Sequence, residues 1–168
     1  MSKIDEARAV RYLIDALDDE AIAGIALEKK ILSQAVFHSQ QICEKAAKAC
    51  LALFNIIIAD EHKYSGYLHK IIIPNAGKLK NGFSKLLIKV SNLETFYIPS
   101  RYGVDVQGKV HYSELNEEEV TDSYNSAKDF LNLSFQLINK KIKKELPMQK
   151  GELAEYLKKN YKEVIKES

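Results

Sequence analysis

The chain has 168 residues, with 25 Lys and Arg against 23 Asp and Glu and a formal net charge of +2. That length fits one domain with a sizeable core. No apolar run reaches the length that spans a bilayer, and the N-terminal MSKIDEARAV lacks the apolar core of a signal peptide, so no membrane is expected and the expected location is the cytoplasm. The charge is unevenly placed. From Ile138 onward there are nine Lys and five Glu, and the remainder holds sixteen basic and eighteen acidic residues. The excess positive charge therefore belongs to the tail, and the body is not expected to bind nucleic acid. Cys43 and Cys50 lie seven residues apart on one helical stretch, about 10.5 Å between Cα atoms at the usual rise. That is too far for a disulfide, so both are expected to be small buried hydrophobes.

Helical periodicity dominates the chain. Residues 4–20 place Ile4, Ala7, Val10, Ile14 and Leu17 on one face, as a first helix would. Asp18, Asp19 and Glu20 put negative charge at a helix C-terminus, so a break is expected there, with Gly24 a second weak point. Ser33–Ile58 follows, apolar nearly all round, as expected of a central helix wrapped by others. His38, Gln41, Lys45, Lys48 and Asn55 form its one polar stripe. The physical reading of that stripe is a solvated edge; the alternative is that Gln41, Glu44, Lys45 and Lys48 border a functional surface.

A short helix is expected from Glu61, capped by Asp60 and ended by Pro74 and Asn75. Another is expected from about Lys78 to Tyr97, spined by Leu79, Phe83, Leu86, Val90, Leu93 and Tyr97. Residues 98–115 carry Val104, Val106, Val110 and Tyr112 around Gln107-Gly108, a loop with a small hairpin. Asn116 caps the next helix, with Glu119 at the capping-box position. Val120, Tyr124, Ala127, Leu131, Phe135 and Ile138 then keep the helical period. Lys140, Lys141, Lys143 and Lys144 suit its negative end. A last amphipathic segment, Lys150–Lys166, docks on the bundle or on a partner. The expected fold is thus an all-α, up-and-down bundle of about five core helices over residues 1–146. Residues 147–168 append one helix to the same unit.

Common enzyme signatures are missing: there is no GxGxxG, P-loop, GxSxG or HExxH. His62 and His69, seven apart, do not make a metal site, and no metal or cofactor is expected. The central stretch also carries a pattern, AxFxxQQxxEKxxKAxL, in Ala35, Phe37, Gln40, Gln41, Glu44, Lys45, Lys48, Ala49 and Leu51. This resembles the second helix of the HEPN family (higher eukaryotes and prokaryotes nucleotide-binding domain), in its short prokaryotic type. His62 at the start of a short helix and the Ser100-Arg101-Tyr102 step agree with it. The resemblance covers roughly residues 5–142.

It implies a nucleotide-associated subunit partnered with a small nucleotidyltransferase in a toxin–antitoxin-like or defence module, acting as a homodimer. The alternatives are a metal-independent ribonuclease toxin of the same family and a non-catalytic interaction module. Ribonuclease members carry an arginine followed four to six residues later by a histidine. Here nine residues separate Arg101 from His111, so that motif is not matched, and these two stand only as catalytic candidates. Arg101, Tyr102, Lys45 and Lys48 are the candidates for binding nucleotide or RNA phosphate. Arginine's planar fork suits a phosphate and histidine suits proton transfer.

Overall fold

The computed structural model describes residues 2–58, 63–95, 107–109 and 115–165. Among the described residues every regular element is helical. The first helix, α1, spans Lys3–Glu28 and opens on a capping box. The Ser2 side chain accepts from the Asp5 backbone, and the Asp5 carboxylate accepts from Ser2 N and Oγ at 3.1 and 2.6 Å.

The expected break at residues 18–20 does not occur, because each acid there meets a cation from another element. Asp18 pairs with Lys150 at 2.5 Å, Asp19 with Lys45, and Glu20 faces Lys128 at 3.8 Å. Gly24 does not break α1 either. A Cβ there would lie 2.9 Å from Tyr124 Oη, so the missing side chain admits a tyrosine from another helix.

A turn at Lys29–Ile31, with Lys30 at φ +56°, leads into α2, Leu32–Ala52. This helix is shorter than expected. Asn55 takes φ +56° and Ile56 N donates back to Leu51 O at 3.1 Å, the left-handed closure that ends many helices. Phe54 and Ile57, assigned above to its apolar faces, thus lie beyond its end: Phe54 is half-buried and Ile57 is 63% exposed. The rest of α2 is as apolar as its sequence requires, with Ile42, Cys43, Ala46, Ala47, Cys50 and Leu51 all inaccessible to solvent.

The start of the expected third helix lies outside the described residues. From Ser65–Tyr67 the backbone widens into a π turn, Leu68–Ile72, and closes as Ile73–Asn75; these three pieces form α3. Proline has no N–H to give and its ring crowds the carbonyl four residues back, so a wider turn just before Pro74 lets the helix contain it. A 3₁₀ turn, Gly77–Leu79, leads to α4, Lys80–Thr95. The expected hairpin lies outside the described residues apart from an exposed piece at 107–109.

Asn116 caps α5, Glu117–Ile142, its side chain accepting from the backbones of Glu118 and Glu119. The last helix, α6, is Lys150–Asn160. It docks on the bundle through α1: Leu153 and Leu157 are buried, Tyr161 Oη donates to Glu6 at 3.0 Å, and Glu163 pairs with Lys3 at 3.2 Å. Burying two leucines stabilises this docking by about 1.5–3 kcal/mol each.

Helix α2 touches α1, α3, α4 and α5, so it is the wrapped centre of the bundle. Lys30 beside α2 pairs with Glu117 at the start of α5, while Phe54 beyond α2 stacks under Lys141 at the end of α5. These two helices therefore run parallel. Lys89 pairs with Asp122, and a Cβ on Gly82 would lie 3.0 Å from Leu133, so α4 runs antiparallel to α5 and close to it. The α1–α2 turn, the end of α4 and the start of α5 share one end of the bundle. The end of α2, the 3₁₀ turn and the end of α5 share the other.

Candidate functional site

The polar stripe of α2 is not a wet edge. His38 Nδ1 lies 2.7 Å from Asp19 Oδ1, and Lys45 Nζ reaches the second oxygen of the same carboxylate. Asp19 is 5% exposed and the His38 side chain 16%. The stripe is a tie between α1 and α2. Sequence reasoning missed Asp19 as its anchor. The available signal was an acid set among Ala16, Ala23 and Ala26, which all face inward.

One turn around the helix lies a second network. Glu44, 4% exposed, accepts from Lys48 Nζ at 2.8 Å on one oxygen. Its other oxygen accepts from Gln40 Nε2 at 3.1 Å and Gln41 Nε2 at 3.4 Å, and Gln41 also donates to Gln40 Oε1 at 2.6 Å. The residues Gln40, Gln41, Glu44 and Lys48 thus satisfy one another. A carboxylate holding three donors is a fixed structural acceptor.

A third tie involves Glu94, which sequence reasoning also missed. Helix α3 has no cap from its own side chains. Glu94, at the end of α4, accepts from the Tyr64 and Ser65 backbones and from Ser65 Oγ at 2.8 Å, and so caps α3 from a distance. Tyr64 is 1% exposed. Burial first, then the neighbouring Cys43, Glu94 and Glu44, hold its phenol far above the usual range. Burial likewise pushes the Cys43 thiol up, and the Cys50 thiol up to about 12. None of these three is ionised near neutral pH, so none is a nucleophile here.

Of the sequence-predicted site residues, Lys45 is tied to Asp19 and Lys48 to Glu44. Arg101, Tyr102, His111 and His62 lie outside the described residues. The segment that carries Arg101 and His111 leaves α4 at Thr95 and enters α5 at Glu117, beside the Glu94 tie and the Asn116 cap. Among the described residues no three His, Cys, Asp or Glu come together as a metal site, and no helix is long and apolar enough to cross a membrane.

The model of the HEPN domain matches residues 9–143. The chain belongs to the HEPN family. A relative in Methanocaldococcus jannaschii, "Putative toxin MJ1304", is 30% identical over 124 residues, covering 73% of this chain and 80% of that protein. No solved structure matches at a significant level. The HEPN match runs from within α1 to the end of α5 and includes all three polar ties. Helix α6 lies beyond it.

Proposed function

We propose that this HEPN chain is the nucleotide-associated subunit of a toxin–antitoxin-like module whose second member is a small nucleotidyltransferase. The observation that carries the reading is the pair of anchors, Glu94 and Asn116, on the two stems of the segment holding Arg101, Tyr102 and His111. Functional side chains sit on loops that a rigid scaffold positions, and these anchors belong to such a scaffold. The relative's name, a toxin, supports the module class. In this reading Arg101 grips a phosphate and Tyr102 stacks on a base. The chain works as a homodimer, the commonest closed symmetry.

The test is Arg101→Ala. Weakened binding of ATP or of a short RNA, with an unchanged melting temperature, supports the ligand role. Unchanged binding with a lowered melting temperature moves the chain to the plain interaction modules. Sedimentation at micromolar concentration should report two chains, and a clean monomer counts against any composite site.

The toxin name of the relative favours one second reading, a metal-independent ribonuclease using Arg101 and His111. RNA cleavage by the purified protein in EDTA, lost in His111→Ala, separates it from the first.

A further inference from the structure

The near-zero net charge hides a polarity that only the folded chain displays. At the end of the bundle where α2 and α5 finish, the 3₁₀ turn brings Lys78 and Lys80 beside the lysines of α5. A Cβ on Gly77 would lie 3.0 Å from Lys140 Nζ, so the two segments touch. Lys78, Lys80, Lys140, Lys141, Lys143 and Lys144 are all exposed. Among the described residues none of them is ion-paired; Lys141 instead rides over the Phe54 ring, 5.4 Å from its centroid. Glu145 is the one acid within the segments 77–80 and 139–145. The C-termini of α2, α3 and α5 and the N-terminus of α4 gather here, each equivalent to roughly half a charge, so together they offset about one of six positive charges. The opposite end differs. There Lys29, Lys30 and Lys89, and at mid-length of α5 Lys128, are each held by a carboxylate: Glu28, Glu117, Asp122 and Glu20.

We propose that this lysine end is a docking surface for the phosphate backbone of a nucleic acid, gripped without regard to sequence. It lies a full α5 length, about 37 Å at the usual helical rise, from the start of α5. It therefore stands apart from the α5 start, and it does not depend on the function proposed above. The composition fits a polyanion of regular charge spacing. Lysine is depleted from protein–protein interfaces, whose centres carry aromatic and apolar anchors. The segments 77–80 and 139–145 contain no exposed large apolar side chain. Lysine neutralises a phosphate as a point charge and does not read base edges.

The test measures the affinity of the full chain for a mixed-sequence 20-nucleotide RNA across a salt series. Replacing Lys78, Lys80, Lys140 and Lys144 together by Gln should lower the slope of log affinity against log salt by about two to three, at about 0.7 per contacted phosphate. The same four changed to Arg should keep both slope and affinity. Replacing Lys29, Lys30, Lys89 and Lys128 by Gln, an equal loss of charge away from the lysine end, should change the slope by less than one. Equal effects of the two Gln sets, or no effect of either, overturn the proposal. So does polyglutamate competing with RNA charge for charge, which would point to an acidic protein instead. Arg101→Ala weakening RNA while leaving the slope change of the lysine set intact keeps the two sites distinct.

Discussion

Asp19 Oδ1 and His38 Nδ1 face each other at 2.7 Å across the α1–α2 interface, and Lys45 closes on the same carboxylate. One buried acid thus holds two residues of the central polar stripe. Removing its charge strands Lys45 and leaves a hydrogen-bonding site half made. Asp19→Asn should therefore lower stability by roughly 2–4 kcal/mol, read as a shift of the urea midpoint at constant slope. A loss within the ±0.5 kcal/mol usual for surface substitutions would show that the tie carries no weight.

Lys48 and Phe54 exchange the ranks that helical periodicity alone suggests. Phe54 would be a core residue if α2 ran to Ile58, and its truncation would then cost roughly 3–5 kcal/mol. It lies beyond the helix end and is half-buried. Lys48 is only 13% exposed and neutralises Glu44, itself 4% exposed. Lys48→Ala is expected to cost about 2–3 kcal/mol by removing the cation paired with that buried carboxylate, at least as much as Phe54→Ala. Urea midpoints of the two variants, measured side by side, decide the order.

The two thiols report on opening of the core. Cys43 and Cys50 are inaccessible to solvent and held protonated by burial. The native chain at pH 8 should leave a disulfide-exchange reagent such as DTNB unconsumed over minutes, and should release two equivalents in urea. Fast reaction of either thiol in the native protein would contradict the packing of α2.

Acid should act on the start of α1. Hydrogen bonds from the Ser2 side chain and backbone, with Arg8 nearby, hold the Asp5 carboxyl below its ordinary range. A carboxyl whose folded value is depressed contributes stability above its ordinary value of about 3.9, and that stability drains away as pH falls below it. The melting temperature of the wild-type chain should therefore drop more steeply between about pH 4 and pH 2 than that of Asp5→Asn. Parallel curves through that window would remove Asp5 from the account of acid sensitivity.

Much of the fold was legible from local chemistry. Asn116 announced α5, and the apolar circumference of residues 35–51 announced a wrapped helix. What misled was also local. Asp18, Asp19 and Glu20 read as a helix end because their partners, Lys150, Lys45 and Lys128, lie far away in sequence. Gly24 read as a weak point because Tyr124, which needs the space, is one hundred residues on. The left-handed turn at Asn55 was overlooked because the apolar run Ile56-Ile57-Ile58 continues past it. The candidate site was legible only as residue types. Lys45 and Lys48 read as solvated cations, and the carboxylate that holds Lys45 lies on another helix. Glu94 capping α3 joins positions about thirty residues apart, which no periodicity reveals.

The clasp of α6 on α1 places Glu163 and Lys3 side by side, 3.2 Å apart through their side chains. The first and last described helices therefore begin and finish at neighbouring points on the surface. A circular permutant follows from this: a short linker from residue 165 to residue 2, with new termini opened at the exposed Gly108, severs no helix and no described helix–helix contact. Such a chain would divide the segment between α4 and α5 in two, with Arg101 before the new C-terminus and His111 after the new N-terminus, while the helices α1–α6 stay whole.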